Sequence, residues 1–179
     1  MLYTRGGDDG TTLICDGGGK RVSKRSKAIG ALGSVDEVNS WLGLCKARLP
    51  REVGSLKEMI HGWQEDLFIV QAELAGADKT MAADKVKALE DMTNKIEREL
   101  PEIHTFFIAG ETEISAMLDV ARALTRRAER RVVDAVESGE VTVSDNTKAY
   151  LNRLSSILYA LARLVNYKLG VTEKPPTYE

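Results

Sequence analysis

Several residue types are scarce in this sequence, and each scarcity excludes a class of protein. The 179 residues include only two cysteines, Cys15 and Cys45. They match neither a CxxC motif nor any other metal spacing, so they predict free thiols in a reducing compartment. No apolar run approaches the roughly 20 residues of a membrane-spanning helix. We see no signal peptide ahead of the first polar segment, which begins at Thr4. We therefore expect a cytoplasmic protein with no membrane partner.

A large excess of charge of one sign is also missing. The net charge is -2 and the pI is about 5.8, whereas a general nucleic-acid binder is usually basic. We therefore expect no nucleic-acid partner. The length is that of one domain with a sizeable core. We expect a single domain over residues 1–170 and a flexible tail over residues 171–179.

Helical periodicity, by contrast, is abundant. The first predicted helix opens with a capping box, in which Ser34 caps and Glu37 reaches back, and Pro50 ends it. In the later helices apolar residues recur at three- and four-residue steps, and Asp145 or Asn146 can cap the last one. The predicted helices cover about residues 34–49, 55–75, 84–100, 113–137 and 146–169. Because no strand pattern is evident, these five helices predict an all-α, five-helix up-and-down bundle.

Residues 1–30 differ in composition from the helical remainder. The stretch "TRGGDDGTT" contains glycines at positions 6, 7 and 10 together with Arg5 and three threonines. Glycines let backbone amides approach a phosphate, and successive amides form an anion nest. The spacing is neither a Walker motif nor a dinucleotide fingerprint. By composition alone, the segment is either a flexible arm or an ordered anion-binding loop.

The fourth predicted helix carries a cluster of arginines within "LDVARALTRRAERRVV", residues 118–133. On a helix, Arg122, Arg126 and Glu129 share one stripe. The arginines to either side of this stripe are Arg127, Arg130 and Arg131. Two interpretations stay open. One is a solvated, salt-bridged helix face, and the other is an anion site, because guanidinium groups suit phosphate and carboxylate oxygens.

Two further polar residues lie on predicted helices. Asp36 either favours the positive end of the first helix or pairs with an arginine, within the chain or across a subunit contact. Asn152 lies beside leucines in "LNRLSS", and a buried amide without partners costs about 1–3 kcal/mol. It therefore satisfies a neighbouring helix or binds a ligand. His61 and His104 have no second ligand at metal spacing, so we expect no protein-bound metal.

Three blocks of sequence, in order, resemble the PduO-type ATP:cob(I)alamin adenosyltransferases. They are "YTRGGDDGTTL" with "RVSK", then "GSVDEVNSWLG", and finally "ARALTRRAERRVV" with "YLNRLSSILYALAR". The resemblance covers about residues 2–169. It implies a homotrimer of five-helix subunits with an ordered N-terminal nucleotide-binding loop, and ATP bound between subunits. It also implies an enzyme that transfers the 5′-deoxyadenosyl group from ATP, accompanied by Mg²⁺, to the cobalt of cob(I)alamin and releases triphosphate.

The resemblance assigns roles to residues by position. Asp36 and Arg122 match a salt bridge across the subunit contact, and Phe106 matches a phenylalanine that covers the lower face of the corrin. These three residues and Arg126 are the ones expected to support catalysis. The residues expected to contact ATP are Thr4, Arg5, Gly7, Asp8, Gly10, Thr11, Thr12 and Lys24 from one subunit, and Arg126, Glu129, Arg130 and Asn152 from its neighbour. Arg127 and Arg131 are then surface or network charges.

The chain departs from the family pattern at three places. The connector reads "FIAGET" from Phe107 to Thr112 where a Pro-Gly-Gly run is usual, which leaves the choice between Phe106 and Phe107 open. Asp119 stands where relatives commonly have histidine, and Ser156 stands where they have a carboxylate. These departures motivate an alternative function, a non-catalytic carrier or sensor that binds ATP or adenosylcobalamin. An RNA-binding helical protein is a third possibility, which the acidic pI disfavours.

The implied partners are small molecules and other proteins. ATP and cob(I)alamin are the expected substrates, and further copies of the chain complete the trimer. A flavoprotein reductase that supplies the electron and an adenosylcobalamin-dependent enzyme that receives the product are the candidate protein partners.

Overall fold

The computed structural model describes residues 3, 5–14, 19 and 21–178. Within these residues the chain forms five α-helices and one small sheet. The helices are α1 (Lys27–Arg48), α2 (Leu56–Leu74), α3 (Ala83–Glu99), α4 (Glu113–Glu137) and α5 (Asp145–Lys168). The prediction of an all-α, five-helix fold is confirmed. Thr4 and Cys15, which the sequence analysis singled out, lie outside the described residues.

The start of α1 was predicted wrongly. The helix begins at Lys27, and Ser26 caps it by accepting a hydrogen bond from the Ile29 amide at 3.3 Å. Ser34 lies inside the helix, where its hydroxyl donates to the Gly30 carbonyl at 2.8 Å. A glycine inside a helix costs about 1 kcal/mol relative to alanine, but burial of the apolar face that begins at Ala28 offsets this cost. Tertiary packing therefore extends the helix by two turns.

The N-terminal segment contains a β-hairpin that the sequence pattern did not predict. Strands β1 (Thr11–Leu13) and β2 (Arg21–Ser23) pair antiparallel, with Thr12 opposite Val22. Strands of three residues are too short to display an alternating pattern. The two described strands are therefore an ordered structure, and β2 leads directly into α1.

Helices α4 and α5 form the centre of the bundle. Helix α4 packs against α1 and α5, α3 packs against α5, and α2 packs against α1. Every residue of α5 from 160 to 166 is buried, as expected of a helix surrounded by others. The side chain of Thr112 caps α4 in a capping box with Ser115, and Ser144, not Asp145 or Asn146, caps α5. Among the described residues, no helix is both long and apolar enough to span a bilayer.

The chain after α5 turns back onto the bundle. Gly170 adopts a φ of 68°, and the amides of Gly170 and Val171 donate to the carbonyls of Tyr167 and Asn166 at 3.0 and 2.9 Å. This pattern is a Schellman motif. The sequence predicts a flexible tail from residue 171, yet Glu173 makes side-chain contacts with α5.

Candidate active site between helices α4 and α5

A small polar cleft lies between α4 and α5. Its volume is about 300 Å³, and the residues that line it are Arg126, Glu129, Arg130, Val133 and Asn152. The first four recur along α4 at three- and four-residue steps, which places them on one face of the helix. All the lining residues except Val133 are residues that the sequence analysis assigned to ATP. The fold thus brings this half of the predicted site together.

Asn152 is held in a fixed orientation at the edge of the polar cleft. Its Nδ2 donates to Glu129 Oε1 at 2.9 Å, and its Oδ1 accepts from Arg153 Nη1 at 2.6 Å. Arg153 in turn donates from Nε to Glu90 Oε1 on α3 at 2.8 Å. A chain of charged and polar groups from α3 therefore sets which face of the Asn152 amide points into the cleft. Sequence reasoning missed the roles of Arg153 and Glu90.

The two arginines of the polar cleft are exposed and have no partner of their own. Within the described part of the chain, no side chain forms a hydrogen bond or ion pair with Arg126 or Arg130. They lie one turn apart, so two forked cations face the same cleft. Such an arrangement suits an anion with several oxygens, because each guanidinium can donate two parallel hydrogen bonds.

The neighbouring arginines, Arg127 and Arg131, are tied to α1. Arg127 Nη2 forms an ion pair with Glu37 Oε2, and Arg131 Nη1 donates to Ser34 Oγ at 2.7 Å. These contacts join α4 to α1 on the side away from the polar cleft. Arg127 and Arg131 therefore help to hold α4 against α1.

A larger, mainly apolar pocket adjoins the polar cleft. It has a volume of about 560 Å³. Its lining comes from α3, α4, α5 and the connector over residues 101–112, and it includes Leu100, Ile103, Phe106, Phe107, Tyr159 and Ala160. Arg126 lines this apolar pocket as well as the polar cleft, so one guanidinium stands at the boundary between them.

The two phenylalanines of the connector have different surroundings. Phe106 is 74% exposed and lines the apolar pocket. The ring of Phe107 lies 5.7 Å from the guanidinium of Arg163, which is also 4.8 Å from the ring of Tyr159. Both rings line the apolar pocket, but Phe107 also contacts Arg163, whereas Phe106 is largely exposed.

A buried ion network lies beneath the apolar pocket, and sequence reasoning missed its central residue. Arg163 is 3% exposed, and its Nη2 donates to Asp119 Oδ2 at 2.7 Å. Its Nε lies 2.6 Å from Glu173 Oε1. Arg163 interrupts the apolar run of "LYALARLV", and an arginine there has to be paired; that interruption was the available signal. Asp119, one of the three departures from the family pattern, therefore has Arg163 as its partner in this chain.

Asp36 and Arg122 are not paired within the chain. The carboxylate nearest to Arg122 belongs to Asp119, with Oδ1 4.0 Å from Arg122 Nε. Asp36 is exposed, and no described residue forms an ion pair with it. A salt bridge between Asp36 and Arg122 of different subunits stays a prediction.

The described residues 5–14 and 21–24 hold the other predicted ATP contacts. Lys24 Nζ donates to the Gly7 carbonyl at 2.7 Å, and the Lys24 amide donates to the Gly10 carbonyl at 2.9 Å. A Cβ atom on Gly7 would lie 2.8 Å from Lys24 Nζ, and Gly10 has a φ of 79°. The glycines therefore allow both the turn and the close approach of the lysine.

Hydrogen bonds inside this N-terminal segment also fix the side chain of Thr11. Asp9 Oδ1 accepts from the amide and the hydroxyl of Thr11 at 2.9 and 2.7 Å. These bonds, with the charge of Arg21 nearby, lower the pKa of Asp9 below its ordinary value. Arg21 donates to Thr11 Oγ1 at 2.6 Å and to the Gly6 carbonyl. Arg5 has a φ of 57° and lies over the ring of Tyr3 at 5.5 Å.

Among the described residues, no bond joins the two halves of the predicted ATP site within one chain. No hydrogen bond or ion pair links the described N-terminal residues, 5–14 and 21–24, to the side chains of the polar cleft. The residues just after the hairpin contact a different part of α4. At the start of α1, Lys27 Nζ lies 2.7 Å from Asp134 Oδ1, near the C-terminal end of α4. A single chain therefore presents each half separately.

The sequence matches known proteins over most of its length. Residues 2–165 match the family model described as cobalamin adenosyltransferase. A corrinoid adenosyltransferase of Citrobacter freundii is 36% identical over 170 residues, which cover 91% of this chain and 93% of that protein. A corrinoid adenosyltransferase of Bacillus subtilis is 35% identical over 176 residues, which cover 95% and 89% of the two chains.

Solved structures agree as well. A variant PduO-type ATP:corrinoid adenosyltransferase from Lactobacillus reuteri, complexed with cobalamin and ATP, superimposes with a TM-score of 0.92 at 29% identity. The match covers 99% of this chain and 97% of that one. A second variant of that enzyme type from the same organism, complexed with ATP, has a TM-score of 0.90 at 30% identity, with 98% and 99% coverage.

Proposed function

The chain belongs to the cobalamin adenosyltransferase family, and we propose from this premise that it transfers the 5′-deoxyadenosyl group of ATP to the cobalt of cob(I)alamin and releases triphosphate. ATP and the corrinoid are its substrates. The observation that carries the assignment to this chain is the pair of adjoining compartments: a mainly apolar pocket beside a cleft with two arginines that have no partner among the described residues. The polar cleft suits a triphosphate, and the apolar pocket suits a flat, largely apolar macrocycle.

The N-terminal segment of a neighbouring subunit completes the ATP site in this proposal. Its contributions to ATP would come from Arg5, Gly7, Asp8, Gly10, Thr11, Thr12 and Lys24, together with Thr4. The absence of any hydrogen bond or ion pair between the described residues of the two half-sites within one chain supports this arrangement. A homotrimer, with Asp36 of one subunit paired to Arg122 of the next, satisfies both requirements.

Catalysis in this site rests on orientation and charge. Cob(I)alamin is itself the nucleophile: its cobalt attacks the 5′-carbon of ATP, and the bond from that carbon to the triphosphate oxygen breaks. The two electrons of the new bond come from cobalt, and those of the broken bond leave with triphosphate. Holding the carbon in line with cobalt lowers the entropy cost of the step.

Arg126 and Arg130 stabilise the leaving triphosphate. Negative charge increases on the departing oxygen as the bond breaks, and preorganised cations near that oxygen stabilise the transition state more than the substrate. Asn152, held by Glu129 and Arg153, contributes a fixed amide to the same cleft. Lys24 of the neighbouring subunit adds a further charge once it releases the Gly7 carbonyl.

Phe106 serves the corrinoid half of the site. An exposed aromatic ring at the rim of an apolar pocket excludes water and the lower ligand from the cobalt, and a cobalt with four ligands is easier to reduce. Phe107 is held by Arg163, so we assign the role to Phe106.

Magnesium is expected to enter with ATP. Among the described residues, no group of three or more His, Cys, Asp or Glu side chains is placed to hold a metal. We propose that the phosphate oxygens of ATP carry the cation and that Glu129 is the carboxylate of the cleft nearest to it in function. When bound, the cation neutralises part of the triphosphate charge. We also propose a cytoplasmic location, where reductase and acceptor enzymes have access to the corrinoid.

An anaerobic assay tests the proposal. Purified protein is mixed with ATP, magnesium and chemically reduced cobalamin, and the corrinoid absorbance is followed as the light-sensitive cobalt–carbon product forms. Catalytic turnover is the expected result. Tight binding of ATP and cobalamin with no product would instead indicate a carrier or sensor on the same fold.

A further inference from the structure

The tail over residues 171–178 reaches the connector that carries Phe106. The amide of Ile108 donates to the carbonyl of Lys174 at 2.9 Å. Ile108 is only two residues from Phe106, and it lies in a stretch with no helix or strand of its own. A backbone hydrogen bond at this point restrains the connector more than a side-chain contact would, because it fixes the path of the chain.

The residue before Lys174 anchors the tail itself. Glu173 Oε1 lies 2.6 Å from Arg163 Nε and accepts from Asn166 Nδ2 at 2.8 Å. Asn166 Oδ1 accepts from the hydroxyl of Thr112 at 2.8 Å, and Thr112 is the residue where the connector ends and α4 begins. Glu173 is therefore linked to the connector by two routes, one through the backbone and one through Asn166.

The buried charge of Arg163 makes loss of the Glu173 carboxylate destabilising. Arg163 is buried, and Asp119 pairs with its Nη2 while Glu173 lies against its Nε. Without Glu173, one edge of a buried guanidinium loses its partner, which is costly because water does not reach it. The Phe107 ring also lies over the same guanidinium, so displacement of Arg163 moves the connector.

We propose that Glu173 is a positioning residue for the corrinoid half of the reaction. It anchors the tail to α5 and, through Arg163 and the Lys174 carbonyl, holds the connector so that Phe106 stays at the apolar pocket. The polar cleft lies outside this linkage. The inference rests on the proposed function, because it names the substrate whose binding the tail controls.

The test compares Glu173→Ala and Glu173→Gln with Glu99→Ala. Glu99 is a matched control at the same end of the bundle, since its Oε1 lies 3.0 Å from Lys168 Nζ in a half-exposed pair. We expect Glu173→Ala to raise the KM for cobalamin about fivefold to tenfold, with the KM for ATP within about twofold. Glu173→Gln, which keeps an acceptor for Asn166, recovers part of the loss, and Glu99→Ala changes neither constant.

A readout that does not need activity accompanies the kinetics. Amide hydrogen exchange in peptides spanning residues 101–112 should be faster in Glu173→Ala and in a chain ending at Thr172, and unchanged in Glu99→Ala. Unchanged exchange in the first two overturns the proposal. An equal rise in both KM values together with a large fall in Tm also overturns it, because it indicates a general loss of structure. A wild-type chain with no turnover would instead refute the proposed function.

Discussion

The two flanks of α4 carry arginines that are adjacent in sequence but have opposite surroundings. Arg127 and Arg131 are tied to side chains of α1, whereas Arg126 and Arg130 face a cleft and have no partner among the described residues. One residue along a helix rotates a side chain by about 100°. That rotation separates cations that hold the fold together from cations left free for a ligand.

Removing Arg126 should have the largest effect. We expect Arg126→Ala to lower kcat/KM for ATP by about 100-fold or more, because loss of one preorganised group at a developing charge costs roughly 10²–10³ in rate. Arg131→Ala, on the opposite flank, is the matched control and should stay within about twofold of wild type. Equal small losses in both variants would contradict the division of roles. The measurement is steady-state adenosylation at varied ATP.

Reversing a charge at the proposed subunit contact should have the next largest effect. Asp36→Arg should lower activity roughly tenfold to 100-fold, because like charges would face each other across the contact. Combining it with Arg122→Asp restores opposite charges and should recover part of the activity. Sedimentation velocity reports the assembly state in parallel. No recovery in the double variant, with the same assembly state in the wild type, Asp36→Arg and the double variant, would rule out the pair.

Asn152 offers a smaller test of the cleft. Asn152→Ala should raise the KM for ATP by about fivefold to tenfold, which corresponds to about 1–1.4 kcal/mol and lies within the net contribution of one hydrogen bond. Arg153→Ala leaves the amide in place but removes its orientation, and a smaller rise is expected. An Arg153→Ala defect larger than that of Asn152→Ala would show that Arg153 contacts ATP itself.

The α1 flank should respond in stability and not in catalysis. Arg127→Ala removes a half-exposed ion pair with Glu37, and such pairs contribute about 0.2–1 kcal/mol. We expect a fall of a few degrees in Tm and kcat/KM within about twofold. Thermal unfolding followed by circular dichroism checks the first point. A tenfold loss of activity at unchanged Tm would place Arg127 in the site.

The thiol of Cys45, on α1, can report whether a substitution in the cleft disturbs this helix. Burial raises the pKa of its thiol to about 12, so at pH 8 the thiolate that alkylating reagents attack is scarce and inaccessible. In a Cys15→Ser background, we expect alkylation at pH 8 at least about 100-fold slower than in unfolded protein. Adding Arg126→Ala should leave that protection unchanged. Faster alkylation in that variant would mean that the cleft substitution disturbs α1.

Sequence periodicity predicted most of the fold and, on α4, which polar residues share one face. The apolar spacing of α4 predicts both its bounds and the cleft face that Arg126 and Glu129 share. It could not predict the start of α1, because Gly30 and Gly33 disfavour a helix locally, and the burial of Ala28 and Ala31 that offsets this cost depends on the tertiary fold. Nor could it predict the hairpin, because strands of three residues are shorter than the four to eight residues over which an alternating pattern can be recognised.

The contacts that orient Asn152 and Arg163 could not be predicted from the sequence, for a different reason. Arg153 meets Glu90 across α3 and α5, and Arg163 meets Glu173 through a turn at Gly170. Such pairs depend on how two elements are placed in space, which local spacing does not encode. The resemblance to a family supplied roles for Asp36 and Phe106, and these roles stay predictions.

The position of Arg126 on the shared wall of two compartments has a thermodynamic consequence. Any ligand that moves or neutralises this guanidinium alters the environment of the other compartment. Linkage then requires reciprocity: if bound ATP changes corrinoid affinity by some factor, bound corrinoid changes ATP affinity by the same factor. A single side chain can in this way make the two substrates heterotropic effectors of each other, and lysine at position 126 would uncouple them in part while keeping the charge.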